Sequence, residues 1–211
     1  MFRNLFNPDS GLMITMSNIT DAMFLSLFFL LGCLPVVGIG AAGAALYDAS
    51  FRSMRQGDKH SWSRFWQVYR RNFLPGIGPS LVYLAVAYLA VKLGVLAWNT
   101  VAAGGSWVLL SLALVLLAMM LGTLGVLLPM LSRFENSFLG LLKNTVLLSA
   151  ANLPRTLVVG ILTGGSLLLC ARLVVPLFFL PSVAALLSSF LIEPMFKPFM
   201  PQEAEELETD D

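Results

Sequence analysis

The chain has 211 residues, of which 57% are hydrophobic and only 12% are charged. Soluble domains carry about 25% charged residues. A mean hydropathy of +0.81 therefore leaves too few charges to coat a water-facing surface. This composition excludes an ordinary soluble globule, a disordered chain and a nucleic-acid-binding domain, and it predicts an integral membrane protein.

The N-terminal third predicts two helices joined by a turn, over about 11–34 and 38–54. Residues 22–47 carry no charge. Pro35 and the glycines that follow it interrupt this run, since proline cannot continue a helix cleanly. One span over 22–47 is the alternative.

The remaining apolar sequence predicts four further spans. An uncharged run interrupted only by Lys92 is long enough for two spans, about 74–98 and 107–131, because one span needs about 20 apolar residues. The run 157–192 is broken only by Arg172 and predicts two shorter spans. The predicted fold is therefore all-α, a polytopic transmembrane helix bundle of six spans, or five in the alternative.

Charge segregation predicts the orientation of this bundle. Residues 48–72 have a net charge of +4 and residues 132–156 a net charge of +2. Basic loops remain in the cytoplasm, and two predicted spans separate these loops, which allows both to lie inside. We therefore expect a multi-pass protein of the cytoplasmic (inner) membrane with a cytoplasmic C-terminus. Its N-terminus would be inside with six spans and outside with five.

The chain predicts one transmembrane domain, residues 1–198, and an acidic tail, residues 199–211. The tail lacks apolar residues to bury, which predicts a disordered, solvated cytoplasmic segment. Cys33 and Cys170 both lie in apolar runs, without the spacing of a metal site. His60 is the sole histidine, and no hydrolase, nucleotide-binding or metalloprotease motif occurs. We therefore expect no enzyme activity, no catalytic residue, no metal and no cofactor.

The first 75 or so residues contain a characteristic series of motifs: Leu34-Pro35, the Gly-Ala run 40–45, Leu46-Tyr47, and the basic aromatic loop that ends at Arg70 to Phe73. This series resembles the YesL family of small bacterial membrane proteins, which is catalogued as a domain of unknown function. The opening segment FRNLFNPDSGLM also looks like the start of that family. The resemblance implies a membrane protein whose gene often lies beside those of carbohydrate importers and glycan-degrading enzymes. It implies no proven activity.

Asp21 is a candidate intramembrane polar site. In the six-span interpretation it lies near the middle of the first span, with Asn18 one helical turn earlier on the same face. A charge at the bilayer centre costs about 2.5–3.5 kcal/mol. Such a residue could bind a cation, relay a proton or contact a polar solute. The alternative is an interfacial segment over 11–21, in which Asp21 touches water.

The first basic loop predicts an amphipathic helix. Its aromatic residues fall at helical spacing on one face, and its arginines lie elsewhere. This pattern is typical of a helix in the inner headgroup layer, and docking of a cytoplasmic partner is the alternative. The residues concerned are Trp62, Phe65, Trp66, Tyr69 and Phe73 on the aromatic face, and Arg64, Arg70 and Arg71 elsewhere.

The second basic loop predicts another helix. The residues that fall on one side of it are Phe138, Leu141, Leu142, Thr145, Val146 and Ser149. It weakly resembles the loop by which importer permeases insert a short helix into an ATPase groove, although a plain amphipathic connector is the default. Small residues form two further patches, at Gly40 and Ala44 and at Gly160 and Gly164. Small side chains let helices approach closely in lipid, so we expect helix packing at both patches, within the chain or against a partner.

These observations predict a non-enzymatic membrane protein that acts as an accessory or interaction subunit. The resemblance links it to a carbohydrate (ABC-type) import system, and its expected partners are the lipid bilayer and the permease and ATPase subunits of a sugar importer. The alternative is a small stand-alone transporter or channel for a polar solute. Its polar path would use a thin set of residues: Asn18, Asp21, Tyr83, Tyr88, Thr123, Thr163 and Ser166.

Overall fold

A computed structural model describes residues 11–57, 60–104, 107–133, 138–173 and 175–196. Within these residues the regular structure is entirely helical, so the predicted all-α class is confirmed. The predicted tail, 199–211, lies outside them. The helices are α1 (Gly11–Gly32), α2 (Ile39–Gln56), α3 (Ser61–Asn72), α4 (Ile77–Ala102), α5 (Trp107–Arg133), α6 (Phe138–Ala151), α7 (Leu153–Arg172) and α8 (Leu180–Phe196), with 3₁₀ turns at Val36–Gly38 and Val175–Phe178.

Three of the described helices are long and apolar enough to cross a membrane. They are Ile77–Ala102, Leu110–Arg133 and Leu153–Arg172. Three shorter apolar helices accompany them, at Ser17–Gly32, Phe138–Ala151 and Leu180–Phe196. Helix α2 is in neither group, because its C-terminal half carries charge. The prediction of six spans, like its alternative of five, is therefore not confirmed.

Helices α4 and α5 form a hairpin whose closed end carries two tryptophans. Trp98 and Trp107 are 67% and 71% exposed. Gly104 closes the turn with a φ of 83°, in the left-handed region that glycine adopts without strain. At 1.5 Å per residue, these helices of 26 and 27 residues are about 40 Å long. The hairpin therefore exceeds the ~30 Å hydrocarbon layer, and its indole rings suit one membrane interface.

Helix α7 packs against α5 through glycine. A Cβ on Gly160 would overlap the carbonyl oxygen of Ala118, and one on Gly122 would overlap that of Thr156. These contacts bring the two backbones as close as helices can approach, which is the use predicted for small residues in lipid.

Helix α2 is the central element of the fold. Every residue from 40 to 50 is buried, and the stretch is mainly glycine and alanine. Helices α1, α3, α4, α5 and α8 all contact it. A helix buried on all sides belongs to the interior of a protein or of a membrane bundle. Small side chains make room here for so many neighbours.

Helix α2 crosses the open end of the α4–α5 hairpin. The Gly40 amide donates to Ser80 Oγ in the first turn of α4, while the Phe51 ring lies 4.8 Å from the guanidinium carbon of Arg133, the last residue of α5. Both ends of this segment thus meet the same end of the hairpin. A helix running beside α4 and α5 would instead have one end near their middle, so these contacts do not fit the predicted span over 38–54.

The turn between α1 and α2 lies at the same level as the start of α4. Ser80 Oγ donates to the Val37 carbonyl oxygen at 2.7 Å, and α3 returns along α2 so that the Tyr69 hydroxyl reaches the Gly32 carbonyl oxygen at 3.2 Å. The six-span interpretation separates this turn from the start of α4 by a full membrane thickness.

The two basic segments meet, as expected of two segments that were predicted to lie on the same side of the membrane. Arg71 donates from Nη2 to the Ser132 carbonyl oxygen at 2.8 Å, which lies in the last turn of α5. The carbonyl groups of a last turn have no partner within the helix and carry partial negative charge. Arg71 therefore caps α5 and joins the two segments at one end of the molecule, which we call the basic end.

We predict that the turn between α1 and α2 faces the same side of the membrane as the second basic segment. In a chain whose Cys33 and Cys170 are replaced by serine, single cysteines at Leu34, Lys143 and Ala103 report three exposed positions. We expect a membrane-impermeant maleimide to label Leu34→Cys and Lys143→Cys from one side and Ala103→Cys from the other. If Leu34→Cys and Ala103→Cys are labelled from the same side of the membrane, the six-span layout is supported instead.

We predict that Gly160→Ala destabilises the protein and that Gly165→Ala does not. The added methyl group at residue 160 forces α5 and α7 apart, and overpacking of this kind costs about 1–3 kcal/mol. A Cβ on Gly165 meets nothing within 4 Å. Thermal unfolding of both variants in detergent, followed by size-exclusion chromatography, measures the difference. Equal midpoints would show that the α5–α7 contact is looser than described.

Candidate functional site

A polar cluster joins α2, α5 and α8 at the basic end. Glu193 and Arg133 form a bidentate ion pair, with Nη2 2.7 Å from Oε1 and Nη1 2.8 Å from Oε2. The Tyr47 hydroxyl donates to the same carboxylate at 2.9 Å. The Arg133 and Glu193 side chains are only 18% and 14% exposed. The cluster is therefore a largely desolvated pair whose carboxylate oxygens both have partners, as a buried charge requires.

Aromatic rings surround the arginines next to this pair. The guanidinium carbon of Arg55 lies 4.5 Å from the centre of the Phe190 ring and 5.0 Å from that of Phe51. Arg133 contacts the opposite edge of this group, at 4.8 Å from Phe51. Such cation–π contacts are worth about 0.5–2 kcal/mol each. They hold Arg55 over apolar rings at the junction of α2 and α8.

A second charged group lies between α2 and α3. Asp48 is 4% exposed, and its Oδ2 accepts a hydrogen bond from Arg64 Nε at 2.9 Å. Arg52 Nε lies 3.5 Å from its other oxygen. Arg64, predicted as part of a docking surface, thus holds α3 onto α2 through a buried carboxylate.

Asp21 lies level with the last turns of α2. Its Oδ2 accepts a hydrogen bond from Ser53 Oγ at 2.8 Å, and both Asp21 and Asn18 are half-buried. Ser53 is flanked by Arg52 and Arg55, so Asp21 sits beside the basic segment. Asp21 lies near the middle of the continuous helix α1, and its partner Ser53 lies near the end of α2.

The aromatic face of α3 packs against protein. Phe65 is fully buried and Tyr69 is 8% exposed. The Phe28 ring of α1 lies 6.0 Å from Phe65 and 6.1 Å from Trp66, between ring centres. Burial raises the pKa of Tyr69, which keeps its hydroxyl a donor to α1. The predicted lipid-facing role is thus corrected for Phe65 and Tyr69, because α1 and α2 occupy the space that headgroups would fill.

The exposed face of α3 retains part of the predicted docking set. Trp62 is 60% exposed, and Arg70 and Arg71 are also exposed, although Arg71 is tied to α5. Trp62 and Arg70 are therefore the members of that set that remain most available to another molecule.

The small residues predicted for helix packing all make contacts within the chain. Gly40 faces Gly76 and Ser80, and Ala44 is fully buried in the cluster that includes α5. Gly160 meets Ala118, and a Cβ on Gly164 would lie 3.0 Å from Leu121. Of the two expectations for these residues, packing within the chain or against a partner, these contacts correspond to the first.

An apolar cavity of about 150 Å³ lies among α1, α2, α4, α5, α7 and α8. It brings together three of the polar residues proposed for a solute path, Tyr83, Thr163 and Ser166. The Thr163 hydroxyl donates to the Val159 carbonyl oxygen and the Ser166 hydroxyl to that of Thr163. Asn18, Asp21, Tyr88 and Thr123 do not line it, so the seven residues do not form one path.

Comparison with known proteins finds a match to a family model. Residues 22–92 match the family model described as "Protein of unknown function, DUF624", the domain found in YesL-type proteins. The resemblance to the YesL family is confirmed. The matched region extends from α1 into α4 and includes all of α2 and α3. No curated protein and no solved structure matches the chain significantly.

Glu193 is the site residue that the sequence pattern does not single out. It precedes the acidic tail in the sequence, lies in α8 and pairs with a residue 60 positions earlier. The available signal is its position inside an apolar run, away from the acids that follow residue 200. A lone acid in such a run is a reason to look for a buried basic partner.

We predict that Glu193→Gln destabilises the protein more than loss of the whole pair does. The single change leaves Arg133 desolvated without its counter-charge, at a cost of about 3 kcal/mol. The double variant Arg133→Met/Glu193→Leu leaves no charge and should recover much of that stability. Tyr47→Phe, which removes one hydrogen bond, should cost about 1 kcal/mol. Thermal unfolding in one detergent ranks the three, and a double variant less stable than Glu193→Gln would contradict this account.

Proposed function

We propose that the protein is a non-enzymatic interaction subunit of the cytoplasmic membrane, and that its partners are the permease and ATPase subunits of a carbohydrate importer. The observation that carries this proposal is that the buried polar groups described here pair with one another. Glu193, Arg133 and Tyr47 satisfy one another, and Asp48 is held by Arg64. A solute path needs polar groups near the midplane that bind the solute, and these groups are occupied.

The absence of enzyme activity is part of the same proposal. Catalytic acids and bases must be able to exchange protons with a substrate. Asp48 and Glu193 are each engaged by an arginine. Among the residues described, no three His, Cys, Asp or Glu side chains come together as metal ligands would.

The basic end is the surface we assign to the partners. Exposed Arg70 and Lys143 lie on the two basic segments, which are joined where Arg71 meets Ser132. The positive-inside rule favours a cytoplasmic position for this end, where an ATPase would be. The link to sugar import rests on the family resemblance alone, which is an association and not a physical argument.

A small stand-alone transporter is the second candidate. The cavity that contains Tyr83, Thr163 and Ser166 favours it. Against it, the hydroxyl protons of Thr163 and Ser166 are already donated to the backbone of α7. A sugar requires many hydrogen-bond partners, and this wall offers few.

We predict that partners co-purify with the protein through its basic end. The tagged protein, at native level, is extracted in mild detergent, and its companions are identified by mass spectrometry. The double variant Arg70→Glu/Lys143→Glu should reduce the amount of co-purified permease and ATPase several-fold, because charges at the rim of an interface steer and hold such contacts. Arg172→Glu, the matched control at the end of α7, should retain them.

Uptake measurements separate the two candidates. Purified protein in liposomes should show no uptake of labelled mono- or disaccharides above empty vesicles. Uptake by the protein alone that is lost in Asp21→Asn would favour the transporter. The accessory role is refuted if importer subunits never co-purify with the wild-type protein.

A further inference from the structure

We propose that the cavity among α1, α2, α4, α5, α7 and α8 is a binding site for an acyl chain of a membrane lipid. Its volume of about 150 Å³ far exceeds the voids of a packed interior, where gaps larger than one water molecule are few. Its wall includes the small residues Gly43, Gly125, Ala184 and Ala185.

The lining disfavours water. Thr163 and Ser166 donate their hydroxyl protons within α7, and Tyr47 donates to Glu193. Water in a cavity needs two to four polar partners. Three of the five hydroxyl groups in the lining have already given their protons, and Tyr83 and Ser188 carry the other two. An apolar cavity of this size remains dry and accepts a benzene-sized molecule. It therefore suits a segment of about six alkyl carbons.

The surroundings supply such a ligand. Leu177 lines the cavity from the turn between α7 and α8, while its neighbours Val175 and Phe178 are 72% and 41% exposed. Apolar side chains thus continue from the molecular surface to the cavity wall. Helix α7 is one of the three helices that can cross a membrane, so this wall lies next to a helix that lipid chains would surround.

The small residues have a role that packing alone does not explain. Gly160 contacts the opposing backbone of α5, whereas Ala184 and Ala185 line the cavity. Larger apolar side chains in this wall would fill the cavity, and each Å² of apolar surface that they buried would stabilise the fold by about 25 cal/mol. An exchangeable lipid chain fills it equally well.

The test uses the full chain in vesicles of phosphatidylethanolamine and phosphatidylglycerol, with a trace of a phospholipid that carries a diazirine on one acyl chain. After irradiation, peptide mass spectrometry locates the crosslinks. We expect them at Ser166, Leu177 or Pro181, which line the cavity. Ala184→Phe, which fills it, should reduce these crosslinks several-fold. Ala171→Phe, the same change at an exposed position of α7, should leave them unchanged.

A second filling variant, Ser166→Leu, reaches the cavity from α7 and guards against misfolding of Ala184→Phe. Size-exclusion profiles identify the folded variants. Crosslinks found only at exposed Leu168 and Leu169 in the wild-type protein would overturn the proposal. Cavity crosslinks that persist unchanged in a folded filling variant would do the same. Because the assay detects lipid alone, its failure leaves the proposed partner interactions unaffected.

Discussion

The close packing of α2 is the constraint on which the rest of the structure depends. Residues 40 to 50 are buried on every side, which is possible because most of them are glycine or alanine. Gly43 faces the Leu128 side chain of α5, and Gly40 faces the backbone at Gly76. A larger side chain at either position would push away a neighbouring helix. The DUF624 match covers this helix entirely, so the matched region is the structural centre of the protein.

Placing α2 at the centre also forces charges into the interior, and the neighbouring helices neutralise them. Asp48 is paired by Arg64 from α3, and Tyr47 contacts the Arg133–Glu193 pair that links α5 to α8. Buried pairs contribute little net stability, but breaking one is costly. Their effect is to fix which helices meet and in what register. The same pairing removes these groups from any role in binding a polar solute, which is why the arrangement favours an interaction subunit.

The described helices therefore separate two kinds of surface. The basic end gathers Arg71, Arg133 and the exposed cations of two distant segments. Away from this end, the outer faces of α4, α5 and α7 are largely apolar. A protein arranged in this way can be held by lipid along its length and recognised by another protein at one end. Tyr47 belongs to the polar cluster and also lines the cavity, so the two regions adjoin.

The sequence by itself determined the helical class, the positions of helices α3 and α6 and the family resemblance, and it predicted that the two basic segments lie on one side. Composition and helical period determine these features locally. The tertiary structure alone decided that α2 crosses the end of a hairpin, that Phe65 and Tyr69 face α1 and α2 instead of lipid, and that Glu193 pairs with Arg133. The physical reason is that an apolar face gains by leaving water whether it meets lipid or protein. Only the position of the other helices determines which of the two it meets.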